Sequence, residues 1–203
     1  MKNKIVLVGG GARSGKSRFA LEYAMTMGEK RHFVATAQAF DSEMHDRIRR
    51  HREERGPAFT TIEEPLRLGQ VLRETVSTDV VVVDCLTLWL SNLLIQGCSE
   101  KDIQIAVEEV IAVCAARPFN IVLVSNEVGL GIVPESALGR TFRDIAGRAH
   151  QRLVSVSDEI FFAAMGLMVR LLPAPVLALR PGETWMEAMT SEAPQLEGEW
   201  FGK

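Results

Sequence analysis

The densest chemistry in the chain is Gly10-Gly11-Ala12-Arg13-Ser14-Gly15-Lys16-Ser17. It fits G-x-x-x-x-G-K-[ST], with an apolar run before it and helix-forming residues after it, the setting a phosphate loop requires. Glycines let backbone N–H groups curl around phosphate oxygens, and the positive end of the following helix points at the same anion. In such a loop the Lys16 ammonium reaches the β- and γ-phosphates, and the Ser17 hydroxyl is a Mg2+ ligand. Asp84 closes the run Val80-Val81-Val82-Val83, so its carboxylate is expected at the same rim, where a second acid positions the metal. These residues predict binding of a nucleoside triphosphate with Mg2+. They do not say what is done to it.

A second chemical segment is Asp41 to Arg55, read as a helix that begins at an N-capping Asp and ends before Gly56-Pro57. It holds five Arg (Arg47, Arg49, Arg50, Arg52, Arg55) against five acids (Asp41, Glu43, Asp46, Glu53, Glu54), a balance that describes an ion-paired, solvated helix rather than a nucleic-acid stripe. Met44, Ile48, His51 and Arg55 share one face, so His51 continues an apolar stripe. Arg47 and Arg55 lie four residues either side of it and disfavour imidazolium. A neutral imidazole can attack phosphorus, and arginines can hold the phosphates being attacked. From this segment alone, the favoured reading of His51 is an ordinary helix histidine.

The elements that must position these groups follow from apolar runs. Ile5-Val8, Phe33-Ala35, Val80-Val83, Ile121-Val124 and Ile160-Ala164 are near-continuously apolar, as strands covered on both faces should be. Helices are expected between them, over about residues 14–27, 41–55, 66–76, 86–96, 100–116 and 137–155. Strand alternating with helix predicts an α/β fold with a mostly parallel sheet, whose ligands sit beyond the carboxyl ends of the strands. Gly9 onward, Thr36, Asp84, Asn126 and Gly166 are therefore the positions to inspect. At 203 residues, 47% hydrophobic and 24% charged, the chain suits one domain, residues 1–172, with an irregular acidic extension over 173–203. Net charge is −3, which gives nucleic-acid binding no support. Cys85, Cys98 and Cys114 form no CxxC pair, so disulfide and Cys-rich zinc scaffolds are disfavoured. No apolar run is long enough for a membrane span, and the start lacks a signal-peptide core, so the expectation is a cytoplasmic protein.

Taken together, the phosphate loop, Ala35-Thr36-Ala37-Gln38, the Arg-Ile-x-x-His-Arg core ending at Arg52, Val83-Asp84-Cys85-Leu86-Thr87, Ser125-Asn126-Glu127-Val128-Gly129-Leu130-Gly131-Ile132-Val133-Pro134-Glu135 and Phe142-Arg143-Asp144-Ile145-Ala146-Gly147-Arg148 closely resemble one family. It is the bifunctional adenosylcobinamide kinase/adenosylcobinamide-phosphate guanylyltransferase family of cobalamin biosynthesis, and the resemblance covers about residues 4–170. The Asn126–Pro134 stretch is far more specific than the phosphate loop. The resemblance implies a P-loop NTPase with a RecA-like central sheet, and a homotrimer. It implies two reactions: a nucleoside triphosphate, ATP or GTP, phosphorylates adenosylcobinamide, and GTP then transfers GMP to that phosphate through a guanylylated histidine. His51 matches that histidine. By the same matching, the phosphate loop, Ala35, Thr36, Ala37, Arg52, Glu53, Glu54, Arg55, Glu63 and Asp84 look like nucleotide contacts, with Glu64 able to replace Glu63 after a one-residue slip. The loop from Asn126 to Gly131 belongs to substrate or to a subunit interface. His150 stands where the family usually has Asn, and the chain runs about thirty residues past the family's usual end. The runner-up is a P-loop small-molecule kinase with no covalent intermediate. Because one reaction is at the γ-phosphorus and the other at the α-phosphorus, either the charged helix moves or nucleotide binds in two modes.

Overall fold

The computed structural model describes residues 2–38, 49, 52, 53 and 56–173, together with the backbone of 177–179. Eight strands form one sheet: β1 (Ile5–Gly10), β2 (Arg31–Ala35), β3 (Thr60–Glu63), β4 (Val80–Asp84), β5 (Asn120–Val124), β6 (Glu159–Ala164), β7 (Leu167–Leu172) and β8 (Leu177–Leu179), in the order β3-β2-β4-β5-β1-β6-β7-β8. The first six strands in that order are parallel, and β7 and β8 are antiparallel additions. The helices are α1 (Lys16–Met25), α2 (Leu68–Glu74), α3 (Leu86–Ile95), α4 (Glu100–Ala116) and α5 (Ala137–Val154).

The period-2 geometry of strands divides the apolar runs between two cores. Ile5, Leu7, Val81, Val83, Ile121 and Leu123 face α2 to α5, around the buried Trp89. Val6, Val8, Val80, Val82, Val122 and Val124 face the other way, against Ala20, Tyr23 and Ala24 of α1. All five expected strands form. Three more strands extend the sheet. β3 is a polar edge strand, Thr-Thr-Ile-Glu, and lacks the apolar run of the central strands. β6 turns directly into β7 through Met165 and Gly166, both at positive φ (52° and 80°), the twist that two-residue hairpins favour.

Register decides where chemistry can sit. Glu63 lies beside Ala35, Ala35 beside Asp84, Asp84 beside Val124, and Val124 beside Val8. One row across the carboxyl edge of the sheet thus carries the end of β3, the ends of β2 and β4, and the entry to the phosphate loop.

At the opposite edge a charged clamp holds β1, β6 and the end of α4. Arg117 pairs with Asp158, with Nη2 donating to Oδ1 at 2.9 Å, and its Nη1 donates to the Asn3 carbonyl at 2.6 Å. Asp158 Oδ2 also accepts the Ile5 N–H at 2.8 Å. The Arg117 hydrogen bond holds the Asp158 carboxyl below its ordinary value, aided by the Ile5 N–H and opposed by desolvation. A depressed folded-state value means stability that is complete above the ordinary carboxylate range and is lost as pH falls through the folded value. Asp158→Asn should therefore cost on the order of 1 kcal/mol near neutral pH, and less in acid. Thermal unfolding across pH checks this; an unchanged difference from wild type at every pH would contradict it.

Candidate functional site

β1 stays paired with β6 to its last residue, Gly10 against Ala163. A Cβ at Gly10 would lie 2.6 Å from the Ala163 carbonyl oxygen, and Gly10 has φ 139°, so only glycine fits there. The loop then turns through Arg13 (φ 54°) and Gly15 (φ 89°) into α1. Lys16 is buried (6% exposed) at the first turn of α1. Its Nζ donates to the Gly11 carbonyl at 2.5 Å and to Ser14 Oγ at 3.2 Å, so the ammonium draws the loop around itself. Gly11, Ala12 and Arg13 are exposed, Ser14 and Ser17 half-buried. Strand, glycine turn and helix N-terminus meet as an anion cradle, with backbone N–H groups and one cation converging.

Asp84 ends β4, half-buried on the same rim. Thr36 beside it is fully buried, and its hydrogen-bonding groups are engaged within the protein. Its hydroxyl donates to the Cys85 carbonyl at 2.7 Å and accepts the Cys85 N–H at 2.8 Å, on either side of a residue joined to Asp84 by a cis peptide. Its N–H donates to the Asp84 carbonyl at 3.2 Å, and its carbonyl accepts from Asn92 Nδ2 at 2.8 Å. Thr36 therefore ties the ends of β2 and β4 together. Asn92 and Thr87, both 4% exposed on the apolar helix α3, complete this support; sequence reasoning gave neither a role of its own, although polar residues in such a run are themselves a signal. Thr87 Oγ1 lies 3.2 Å from Cys85 Sγ and accepts from Asn126 Nδ2 at 3.0 Å. Burial pushes the Cys85 thiol up to about 11, which keeps it protonated.

Arg52 and Glu63 meet across the edge of the row, with Arg52 Nη2 donating to Glu63 Oε1 at 2.8 Å. Glu64 is used differently: its Oε1 accepts the N–H groups of Leu66 and Arg67 at 2.9 and 2.8 Å, at the approach to α2. Arg49 and Glu53, each helical, form an i,i+4 pair at 3.3 Å, and Ala35 and Ala37 lie half-buried on the rim. His51, Glu54 and Arg55, with most of the helix expected over 41–55, fall outside the described residues.

The loop after β5 closes the site from the other side. The Glu127 N–H donates to the Gly10 carbonyl at 2.9 Å, and its Oε1 accepts the Gly129 N–H at 2.6 Å. Among the described residues no group of three or more His, Cys, Asp or Glu could cage a metal. The hard oxygens of Ser17 and Asp84 suit Mg2+, which takes one or two protein ligands and completes its shell with water and phosphate.

A parallel α/β sheet with a lysine-bearing glycine loop between its first strand and first helix defines a P-loop nucleotide-binding protein. More particularly, the chain belongs to the cobinamide kinase/cobinamide phosphate guanyltransferase family, whose model matches residues 6–171. It is 42% identical over 172 residues to the bifunctional adenosylcobalamin biosynthesis protein CobP of Pseudomonas aeruginosa, covering 84% of this chain and 98% of that protein. It is 38% identical over 180 residues to the bifunctional adenosylcobalamin biosynthesis protein CobU of Escherichia coli K12, covering 82% and 99%. Among solved structures, the RadB recombinase is similar at TM-score 0.48 and 16% identity over 89% of this chain and 82% of its own. No helix among the described residues is long and apolar enough to cross a membrane.

Gly10 and Gly11 separate two uses of glycine. Gly10→Ala should cost about 1–3 kcal/mol in stability through strain against Ala163, whereas Gly11→Ala, with nothing within 4 Å of its Cβ position, should stay within about 0.5 kcal/mol of wild type. Chemical denaturation of both variants checks the contrast.

Proposed function

We propose that this protein phosphorylates adenosylcobinamide with a nucleoside triphosphate, ATP or GTP, and then converts the product to adenosylcobinamide-GDP using GTP. What carries the proposal is the row of strand ends that brings Asp84, Ala35, Glu63 and the phosphate loop to one rim, in a chain that belongs to this family throughout residues 6–171. In the first reaction the aminopropanol oxygen attacks the γ-phosphorus, the nucleoside diphosphate leaves, and the hydroxyl proton passes to solvent. In the second, a neutral imidazole nitrogen of His51 attacks the α-phosphorus of GTP and pyrophosphate leaves. The phosphate of the corrinoid then attacks the same phosphorus, takes the GMP and frees His51.

The N–H groups of Gly11 to Lys16 and the Lys16 ammonium hold the triphosphate; Arg52, Glu53, Glu54, Arg55, Glu63, Ala35 and Ala37 line the nucleotide's path. Thr36 acts from behind by fixing Asp84. Ser17 and Asp84 would hold Mg2+, which when bound neutralises phosphate charge. Residues 1–172 carry the catalytic site and 173–203 form an extension that is not wholly irregular, since its Leu177–Leu179 adds β8 to the sheet; the protein works in the cytoplasm.

A homotrimer gives the exposed apolar loop after β5 a cover. Leu130 and Ile132 are 80% and 97% exposed, and Val133 and Leu138 are also exposed. Exposed apolar side chains so close together in the chain call for a partner subunit or the corrinoid ring. Ile132→Asp should shift the mass in sedimentation from trimer toward monomer if the partner is a subunit. A trimer that persists, with weaker corrinoid binding, would assign the loop to substrate.

GTP labelled at the α-phosphate tests the covalent step. Wild type should retain acid-labile, alkali-stable label after denaturation. His51→Ala should retain none, yet should phosphorylate adenosylcobinamide within a few-fold of wild type. Lys16→Ala should lose about 10²–10³-fold in both reactions. Label retained by His51→Ala would remove the histidine intermediate; wild type without label but with kinase activity would leave a small-molecule kinase.

A further inference from the structure

His150 is drawn into the rim although it belongs to none of the nucleotide contacts above. It lies on α5 with Nε2 2.6 Å from Ser125 Oγ and Nδ1 3.6 Å from Glu127 Oε2. Ser125 is 1% exposed at the end of β5, where its N–H donates to the Val8 carbonyl at 2.9 Å. Glu127 reaches back to the phosphate loop through its own N–H on the Gly10 carbonyl and holds Gly129 through Oε1. One imidazole therefore touches both ends of the turn Ser125–Glu127, and that turn is bonded to β1 at Val8 and at Gly10.

We propose that His150 is a positioning residue for the phosphate loop: neutral, it holds Ser125 and Glu127 so that the turn after β5 seats Gly10, and protonated it releases that seat and weakens nucleotide binding. The inference rests on the nucleotide-binding part of the function proposed above.

The tautomer follows from the partners. A carboxylate only accepts, so the ring proton belongs on Nδ1, facing Glu127, and Nε2 accepts the Ser125 hydroxyl proton. A second proton on Nε2 forces the Ser125 hydroxyl to turn away, and a full positive charge draws the Glu127 carboxylate off the Gly129 N–H. Both movements act on the turn that is bonded to Gly10. Burial lowers the His150 value from its ordinary one, partly countered by the Glu127 charge, so the ring is neutral near pH 7.

Among the described residues few other charges lie near the ring. A small cavity of about 120 Å³ beside it is lined from β1 and β6 by Leu7, Gly9, Ile160, Phe161 and Phe162, none of them titratable. α3 carries no charged residue. From α4, Glu100 is paired with Arg148 at 2.5 Å and Glu108 with Arg152 at 2.7 Å, both on the exposed side of α5; on α5 itself, Arg143 and Asp144 lie 3.9 Å apart. Glu127 is the acid that meets the imidazole.

The test is the affinity for GTP with Mg2+ measured by calorimetry between about pH 5 and pH 8 on the full chain, for wild type, His150→Asn, His150→Phe and Ser125→Ala. His150→Asn keeps a donor and an acceptor but does not titrate in this range, so it also reports the titration of GTP itself. Wild type should weaken about tenfold more than His150→Asn over the acid limb, a typical coupling between two sites. His150→Phe, or Ser125→Ala if that variant does not fold, should weaken binding at pH 8, where His150→Asn remains near wild type. Linkage gives a second readout: GTP should lower the pKa of His150 followed by the ring C–H signals in NMR. Parallel pH curves for wild type and His150→Asn, with no GTP effect on the ring, would overturn the inference while leaving the functional reading intact. Wild type that binds no GTP at any pH would overturn both.

Discussion

Gly10 is pinned from both sides. Its backbone lies against Ala163 of β6 too closely for any side chain, and its carbonyl accepts the Glu127 N–H from the turn after β5. The phosphate loop takes its position from this residue. The loop of Gly11 to Gly15 can curl because Gly10 has fixed where it starts, and Lys16 can fold back onto Gly11 because the loop returns to the same spot. A phosphate cradle needs backbone N–H groups fixed in advance, since amides that must first reorganise spend binding energy on their own ordering.

The rim shows how a parallel sheet makes a polar site without leaving buried polar groups unsatisfied. The ends of the strands are tied together by polar residues: Thr36 to Cys85 and Asp84, Asn92 of α3 to Thr36, and Asn126 to Thr87. Once these supports are satisfied internally, Asp84 and the loop amides are left to act outward. Rigidity at the site thus comes from a layer of neutral polar residues behind the charged ones.

Much of this was legible in the amino-acid order. The five apolar runs are strands because residues buried on both faces of a sheet must be apolar at every position, and the phosphate loop follows the first of them because its glycine spacing permits no regular structure. Glu63 and Arg52, far from obvious partners in sequence, do meet. What was not legible lay in residues with two possible uses. Thr36 was expected as a nucleotide contact, and its bonds to Cys85 and Asn92 add the role of a brace. Thr87 and Asn92 are hidden in an apolar helix, and His150 has no local partner within its own helix, because Ser125 and Glu127 reach it through tertiary packing. β3 escaped because an edge strand covered on few sides has no need of an apolar run. β7 escaped because its turn lacks the usual Asn-Gly or Asp-Gly signal, although Gly166 follows β6 directly.

The central place of β1 has a consequence for how the chain acquires its structure. Its two neighbours come late in the sequence: Ile121 lies beside Ile5, and Glu159 beside Val6. β1 therefore has no partner until β5 and β6 have been synthesised, and the loop between it and them must close before any of its ladder forms. β2, β3 and β4 can pair among themselves much sooner. On a ribosome, the segment bearing the phosphate loop emerges ahead of all of these strands yet docks after them. Until then Ile5 to Val8 is an exposed apolar run, the kind of transient segment that draws chaperones. The nucleotide site is thereby one of the last features of the molecule to be assembled.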